Sequence, residues 1–219
     1  MELKYVRLDD PLYNYVCERR SDAGDAVLEE VKRETASLGE ISKMEISQEQ
    51  GTFLSILVAA IGTTRALELG TFTGYSSLCI ARALRPGGKL LCFDQSEEWT
   101  KIARKYWRKA GVEDRIELRL GAAIPMLQQL KPGLTFDFAF IDAEKTEYDA
   151  YYELVLPRLR QNGLILFDNM LWGGRLGKGP IGEASGIAID RLNRKLANDS
   201  RVEAVLLPFA DGIQLCRKR

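Results

Sequence analysis

The stretch that decides the fold is residues 65–76, Arg65-Ala66-Leu67-Glu68-Leu69-Gly70-Thr71-Phe72-Thr73-Gly74-Tyr75-Ser76. Its apolar run Ala66, Leu67 and Leu69 ends at Gly70, and after Gly74 the residues Leu78, Ile80, Ala81 and Leu84 take helical spacing, which predicts strand, glycine turn and helix. Glycine belongs where a backbone bends sharply or admits a ligand to contact distance, because a Cβ would block the approach. The helix that follows offers free N–H groups to whatever rests on the turn. The pattern Glu68-x-Gly70-x-x-x-Gly74 lacks the three glycines that cradle a pyrophosphate, and the Glu68 carboxylate would repel a phosphate but suit a cation. Taken alone, the stretch also fits a plain connection with Glu68 solvated.

Working outward, lysine plus arginine equals aspartate plus glutamate at 31 each, so no long-range field favours nucleic acid or an anionic membrane. The 219 residues supply one substantial core, and no composition shift divides them. We expect one domain over 1–219, with 1–62 forming amino-terminal helices that act as a lid or a dimer surface and 63–219 forming the sheet. Cys17, Cys79, Cys92 and Cys216 are too scattered for a disulfide framework or a zinc knuckle. The first residues carry no leader pattern and the longest apolar run, 53–61, is too short for a bilayer, so a cytoplasmic location is the expectation. The chain has no histidine, which leaves carboxylates, amides, lysine, tyrosine and cysteine for any chemistry.

Along the chain, Tyr5, Leu8, Leu12, Tyr13, Tyr15 and Val16 fit an amphipathic arm, and 25–38 keeps helical spacing. Ser47 with Gln50 reads as a capping box for a helix over 49–61. Beyond the central turn, strands over 89–94, 115–120, 136–142 and 164–168 alternate with helices over 97–110, 124–130 and 146–159, and Asn162-Gly163 reads as a turn. A glycine-rich loop over 171–182 and a helix over 184–197 lead to strands over 202–208 and 212–216, whose short link makes the last pair antiparallel. The pattern defines an α/β fold with a mostly parallel sheet covered on both faces.

The apolar strands end in acids. Asp94 closes the second strand, close to the spacing at which an acid takes ribose hydroxyls, Asp142 closes the fourth, and Asp168 with Asn169 closes the fifth. Ligands bind at the carboxyl ends of strands in such sheets, so these side chains point to one crevice. Asp142, Asp168 and Asn169 offer three oxygens of the kind that hard divalent cations accept, although Asp168-Asn169 alone could simply cap its loop. Lys145, one helical turn past Asp142, would have its ammonium form disfavoured beside a bound dication, which suits a general base. Tyr148, Tyr151 and Tyr152 read as core, and Trp172 either walls an aromatic substrate or packs on the surface.

With these residues in place, the chain resembles the metal-dependent O-methyltransferases that use S-adenosylmethionine, the group that includes caffeoyl-CoA and catechol O-methyltransferases. It looks especially close to bacterial members acting on small catechols. Residues 67–76, 140–145, 167–172 and 207–212 carry the resemblance, which covers nearly the whole chain. It implies a Rossmann-like class I methyltransferase with a seven-stranded sheet and an antiparallel last strand. It implies that Glu68, Gly70, Tyr75 and Ser76 hold the methionine and ribose part of the cofactor, and that Asp94 takes the ribose hydroxyls. Gly121, Ala122 and Ala123 would lie by the adenine, with Met44, Ile46, Asp142 and Glu144 also contacting the cofactor. Asp142, Asp168 and Asn169 match the metal triad for Mg2+, Mn2+ or Ca2+, and Lys145 matches the base. Lys145, Asn169, Trp172 and Gly173 would meet the substrate, and Lys4 falls where plant members contact theirs.

The resemblance further implies a homodimer with no nucleic-acid or membrane partner, acting on one hydroxyl of a vicinal dihydroxy-aromatic compound. A caffeoyl-CoA-type ester and a non-catechol substrate are the alternatives. Two positions depart from relatives: Gly173 replaces the asparagine of plant enzymes, and Glu144 replaces an aspartate common elsewhere. Outside the family, the rivals are a nicotinamide dehydrogenase, a methyltransferase acting on nitrogen or nucleic acid, and a binding or regulatory module without turnover.

Overall fold

The strand that opens the motif, β1 (Arg65–Leu69), is an interior strand of a seven-stranded sheet with β2 (Lys89–Asp94), β3 (Ile116–Leu120), β4 (Phe136–Ile141), β5 (Leu159–Phe167), β6 (Val202–Leu207) and β7 (Ile213–Lys218). The strand order is β3-β2-β1-β4-β5-β7-β6, with β7 antiparallel to both of its neighbours and the other pairs parallel. The architecture comes from a computed structural model that describes residues 4, 6–179 and 181–219; Tyr5 of the expected arm lies outside them.

Because β1 pairs with β2 on one side and β4 on the other, the chain reverses its direction of winding there and opens a crevice at the strands' carboxyl ends. Alternation along each strand feeds two cores. Leu67, Leu69, Leu91, Phe93, Ala139 and Ile141 face α6 (Ala123–Gln128), α7 (Tyr148–Val155) and α8 (Ala184–Asn198). On the other face, Ala66, Leu90, Cys92, Phe138 and Phe140 pack beneath α2 (Ala26–Ala36), α3 (Gln48–Ala60), α4 (Tyr75–Ala83) and α5 (Glu97–Lys109). Strands buried on both faces read as the near-continuous apolar runs seen in the sequence.

The amino-terminal arm forms α1 (Asp10–Glu18), whose Asp9 side chain accepts from Leu12 N at 3.0 Å. Asp25 caps α2 by accepting from Val27 N and Leu28 N at 3.0 and 2.9 Å. Among the described residues no helix is long and apolar enough to cross a membrane.

Two expectations are corrected. The helix expected over 146–159 is broken into a 3-10 turn, Lys145–Glu147, then α7, then a second 3-10 turn, Leu156–Arg158, because Pro157 cannot continue an α-helical ladder. Asn162-Gly163 is not a separating turn: β5 already begins at Leu159 and runs through it as an irregularity, in which Phe136 pairs with Leu159 but Phe138 pairs with Leu164. Asn162 takes φ +59°, a left-handed value that asparagine tolerates better than most residues.

Gly70 and Gly74 occupy the central turn with φ of +86° and +90°. A Cβ on Gly70 would lie 2.0 Å from the backbone oxygen of Asp142, and one on Gly74 would lie 2.6 Å from Ala103 Cβ. Gly70→Ala is therefore expected to destabilise the fold by about 2–4 kcal/mol, combining left-handed strain with a backbone clash. Urea unfolding of the variant checks this; a loss below about 0.5 kcal/mol would show that the turn relaxes freely.

Candidate active site

The functional residues are set in a row by backbone hydrogen bonds that extend the ladder one step past the strands. Gly121 N donates to Asp94 O at 2.8 Å, Gly70 N to Phe93 O at 2.9 Å, Asp142 N to Leu69 O at 2.8 Å, and Asp168 N to Ile141 O at 3.1 Å. Above this row lies an open cleft of about 1010 Å3. That volume accommodates a nucleoside together with a small aromatic molecule.

Of the residues singled out in the sequence, Met44, Ile46, Gly70, Tyr75, Ser76, Asp94, Gly121, Ala123, Asp142, Glu144, Lys145, Asp168, Asn169, Trp172 and Gly173 all line the cleft. Glu68, Ala122 and Lys4 are not on its wall. Glu68 is fully buried behind the turn, where Cys92 Sγ donates to its Oε2 at 3.3 Å and Oε1 has no hydrogen-bond partner. This overturns the solvated reading of that carboxylate. Burial pushes its pKa up to about 7, against the opposing effect of Ser76, Cys92 and Thr71.

The Asp94 carboxylate accepts from three backbone amides: Thr71 N and Phe72 N at 2.8 Å on Oδ2, and Ser96 N at 2.7 Å on Oδ1. It thereby ties the turn to the end of β2, and of its roughly four acceptor positions one remains for a ligand hydroxyl. Beside it, Phe72 and Trp99 meet edge to face with centroids 5.1 Å apart. This aromatic wall is not singled out in the sequence, where Trp99 lies within the helix expected over 97–110.

At the other end of the cleft, Asp142 and Asp168 follow adjacent strands, and the Tyr148 hydroxyl lies between their backbones, within donating distance of Ile141 O at 3.3 Å and Asp168 O at 3.2 Å. Lys145 Nζ donates to Asp142 Oδ1 at 2.6 Å, so the early 3-10 turn does bring the lysine to the acid. Asp168 is 3% exposed, and burial, followed by the charge of Asp142, pushes its carboxyl above the ordinary range. Asn169 sits at φ +59° and its Nδ2 contacts Asp211 Oδ2 at 3.4 Å, which leaves Oδ1 as the free end of the amide. Among the described residues no group of three or more histidine, cysteine or acidic side chains is placed to hold a metal; the donor set here is two carboxylates and one amide oxygen. Hard oxygen donors with repelling charges are what a divalent cation would relieve.

Two contributors were missed in the sequence. Asp211 Oδ1 accepts from Gly173 N at 2.6 Å, pinning the loop beneath Trp172, and Gln50 Nε2 donates to Asp168 Oδ1 at 2.8 Å. In the sequence Asp211 falls in the short link before the last strand and Gln50 in a capping box. Trp172, at φ +51°, donates from Nε1 to Glu183 Oε2 at 2.8 Å, so it stands at the cleft rim with a fixed ring.

A sheet of this order with its cleft at the β1/β4 switch defines a Rossmann-like class I methyltransferase. The family model described as O-methyltransferase matches residues 18–219. The caffeoyl-CoA O-methyltransferase of Eucalyptus gunnii is 36% identical over 225 residues, covering 98% of this chain and 90% of its own. The solved O-methyltransferase of Bacillus cereus in complex with SAH has a TM-score of 0.86 at 32% identity, covering 94% of this chain and 96% of that one. The O-methyltransferase TomG of Streptomyces achromogenes in complex with SAM gives 0.86 at 28%, covering 94% of each. The chain belongs to the O-methyltransferase family. It is an S-adenosylmethionine-dependent transferase.

The buried Glu68 gives a pH signature. A carboxyl with a raised folded value binds its proton more tightly when native, so its contribution is full below its unfolded value of 4.5 and is lost as pH rises towards about 7. Replacing it by glutamine removes this dependence, and Glu68→Gln should gain up to about 3 kcal/mol on wild type between pH 5 and pH 8. Urea unfolding at both pH values tests this; parallel pH profiles would refute it.

Proposed function

We propose that the protein methylates one hydroxyl of a small vicinal dihydroxy-aromatic substrate in a reaction that depends on a divalent cation. The observation that carries this reading is the convergence of Asp142, Asp168 and Asn169 on one wall of the cleft, with Lys145 Nζ 2.6 Å from Asp142. The donor set fits Mg2+ or a similar hard cation, which when bound supplies charge stabilisation for a phenolate. Asp142, Asp168 and Asn169 would hold it.

A free phenol titrates near ~10 and is a poor nucleophile at neutral pH. Lys145 Nζ, once it has given up its own proton to solvent, would take the proton of the reacting hydroxyl, and its contact with Asp142 holds it beside the site. The substrate oxygen then joins the methyl carbon as the carbon–sulfur bond of S-adenosylmethionine breaks, leaving S-adenosylhomocysteine. Gly70, Tyr75, Ser76 and Asp94 position the donor, while Trp172 and Gly173 border the acceptor ring. Methyl transfer needs little proton traffic beyond that one step, so positioning and exclusion of water supply most of the acceleration. A vicinal diol would present two oxygens to the wall formed by Asp142, Asp168 and Asn169, where a monophenol would present one.

A second reading, a caffeoyl-CoA-type ester as substrate, is favoured by the names of the relatives. Gly173 stands where plant enzymes carry asparagine, and a free catechol needs no such side chain, so we place the small diol first. A panel of free catechols and a caffeoyl thioester, followed by S-adenosylhomocysteine release, separates the two.

Removing divalent metal with a chelator is expected to abolish turnover while S-adenosylmethionine still binds by calorimetry; full turnover in chelator would remove the mechanism. Lys145→Ala should lower kcat by about 10²–10⁴-fold with cofactor affinity nearly unchanged. An unaltered kcat between pH 7 and 9 would rule Lys145 out as the base.

A further inference from the structure

Gln50 is 2% exposed and uses both ends of its amide on different parts of the molecule. Its Oε1 accepts from Ser47 N at 2.8 Å, and its Nε2 donates to Asp168 Oδ1 at 2.8 Å. The two neighbours fix the amide orientation independently, since a backbone N–H can only donate and a carboxylate accepts. A residue serving merely as a helix cap would need the first bond alone.

The second bond changes what Asp168 can do. Its Oδ1 already accepts from Asn169 N at 2.7 Å, so with Gln50 that oxygen is engaged twice and Oδ2 is the oxygen left for a ligand. Gln50 itself has little freedom. The next residue, Gly51, lies against Tyr75, where an added Cβ would come within 2.6 Å of the ring. Residues 44–47, just upstream of it, also line the cleft. One side chain therefore joins the start of α3 to the acid at the end of β5.

We propose that Gln50 is a positioning residue for the divalent cation, holding Asp168 by Oδ1 so that Oδ2 is presented to the ion. This rests on the cation-dependent reading above. Side chains that orient metal ligands commonly contribute 10–100-fold to affinity. Gln50→Met keeps the length and removes both bonds.

The test is calorimetric titration of the full-length protein with Mg2+ and, separately, with S-adenosylhomocysteine. Gln50→Met should weaken Mg2+ binding by about 10–100-fold and change S-adenosylhomocysteine affinity by less than about threefold. Unchanged Mg2+ affinity, or equal losses for both ligands, would overturn the proposal. A wild-type protein that binds no Mg2+ would overturn the cation reading itself, and this one with it. Should the variant fail to fold, the wild type still decides: the assigned Gln50 side-chain NH2 resonance should shift with Mg2+ at the midpoint given by calorimetry, and a resonance that stays still refutes the role.

Discussion

The site depends on the parallel register of five strands, β3, β2, β1, β4 and β5. Each of Gly121, Gly70, Asp142 and Asp168 donates its backbone N–H to a neighbouring strand end, so residues far apart in sequence stand in one line. A parallel ladder fixes that line because slipping one residue would reverse every side chain between the two cores. Gly70 is the narrowest point, since the backbone oxygen of Asp142 occupies the space a Cβ would need. The same contact that closes β1 against β4 therefore sets the distance between the glycine turn and the first acid.

Charge is the second constraint. Asp142 and Asp168 stand at adjacent strand ends and Glu68 lies behind the glycine turn; Glu68 and Asp168 are wholly or nearly withdrawn from water. Isolated burial of a carboxylate is costly, and the protein offsets it differently at each position. Lys145 pairs with Asp142, Gln50 and the Asn169 amide bond Asp168, and Glu68 retains only a thiol donor and an orphan oxygen. Asp94 is the contrast, satisfied by three backbone amides of its own turn and of the next. The cleft thus has a settled end at Asp94 and, at Asp142 and Asp168, an end where two carboxylates repel each other.

Much of this was legible in the sequence because it rests on local rules. The β2 boundaries, the capping pair Ser47 and Gln50 and the acids at strand ends all follow from patterns a few residues long. What was hidden is tertiary. The irregularity at Asn162 looks like a turn because asparagine and glycine serve both, and only pairing with β4 separates the cases. Gln50 reaches Asp168 across most of the chain, and Asp211 holds Gly173 and Asn169 from the far strand pair. No spacing rule links such residues. Likewise Glu68 was placed correctly beside the turn, yet its burial comes from α4 and β2 closing over it, which a linear pattern does not reveal.

The central claim is that Asp142, Asp168 and Asn169 share one divalent ion. Crystals grown with S-adenosylhomocysteine and Mn2+ would test it through the anomalous signal of the metal. The account predicts a single strong peak about 2–2.6 Å from an oxygen of each of the three side chains. A peak elsewhere in the cleft, or none at saturating Mn2+, would contradict it.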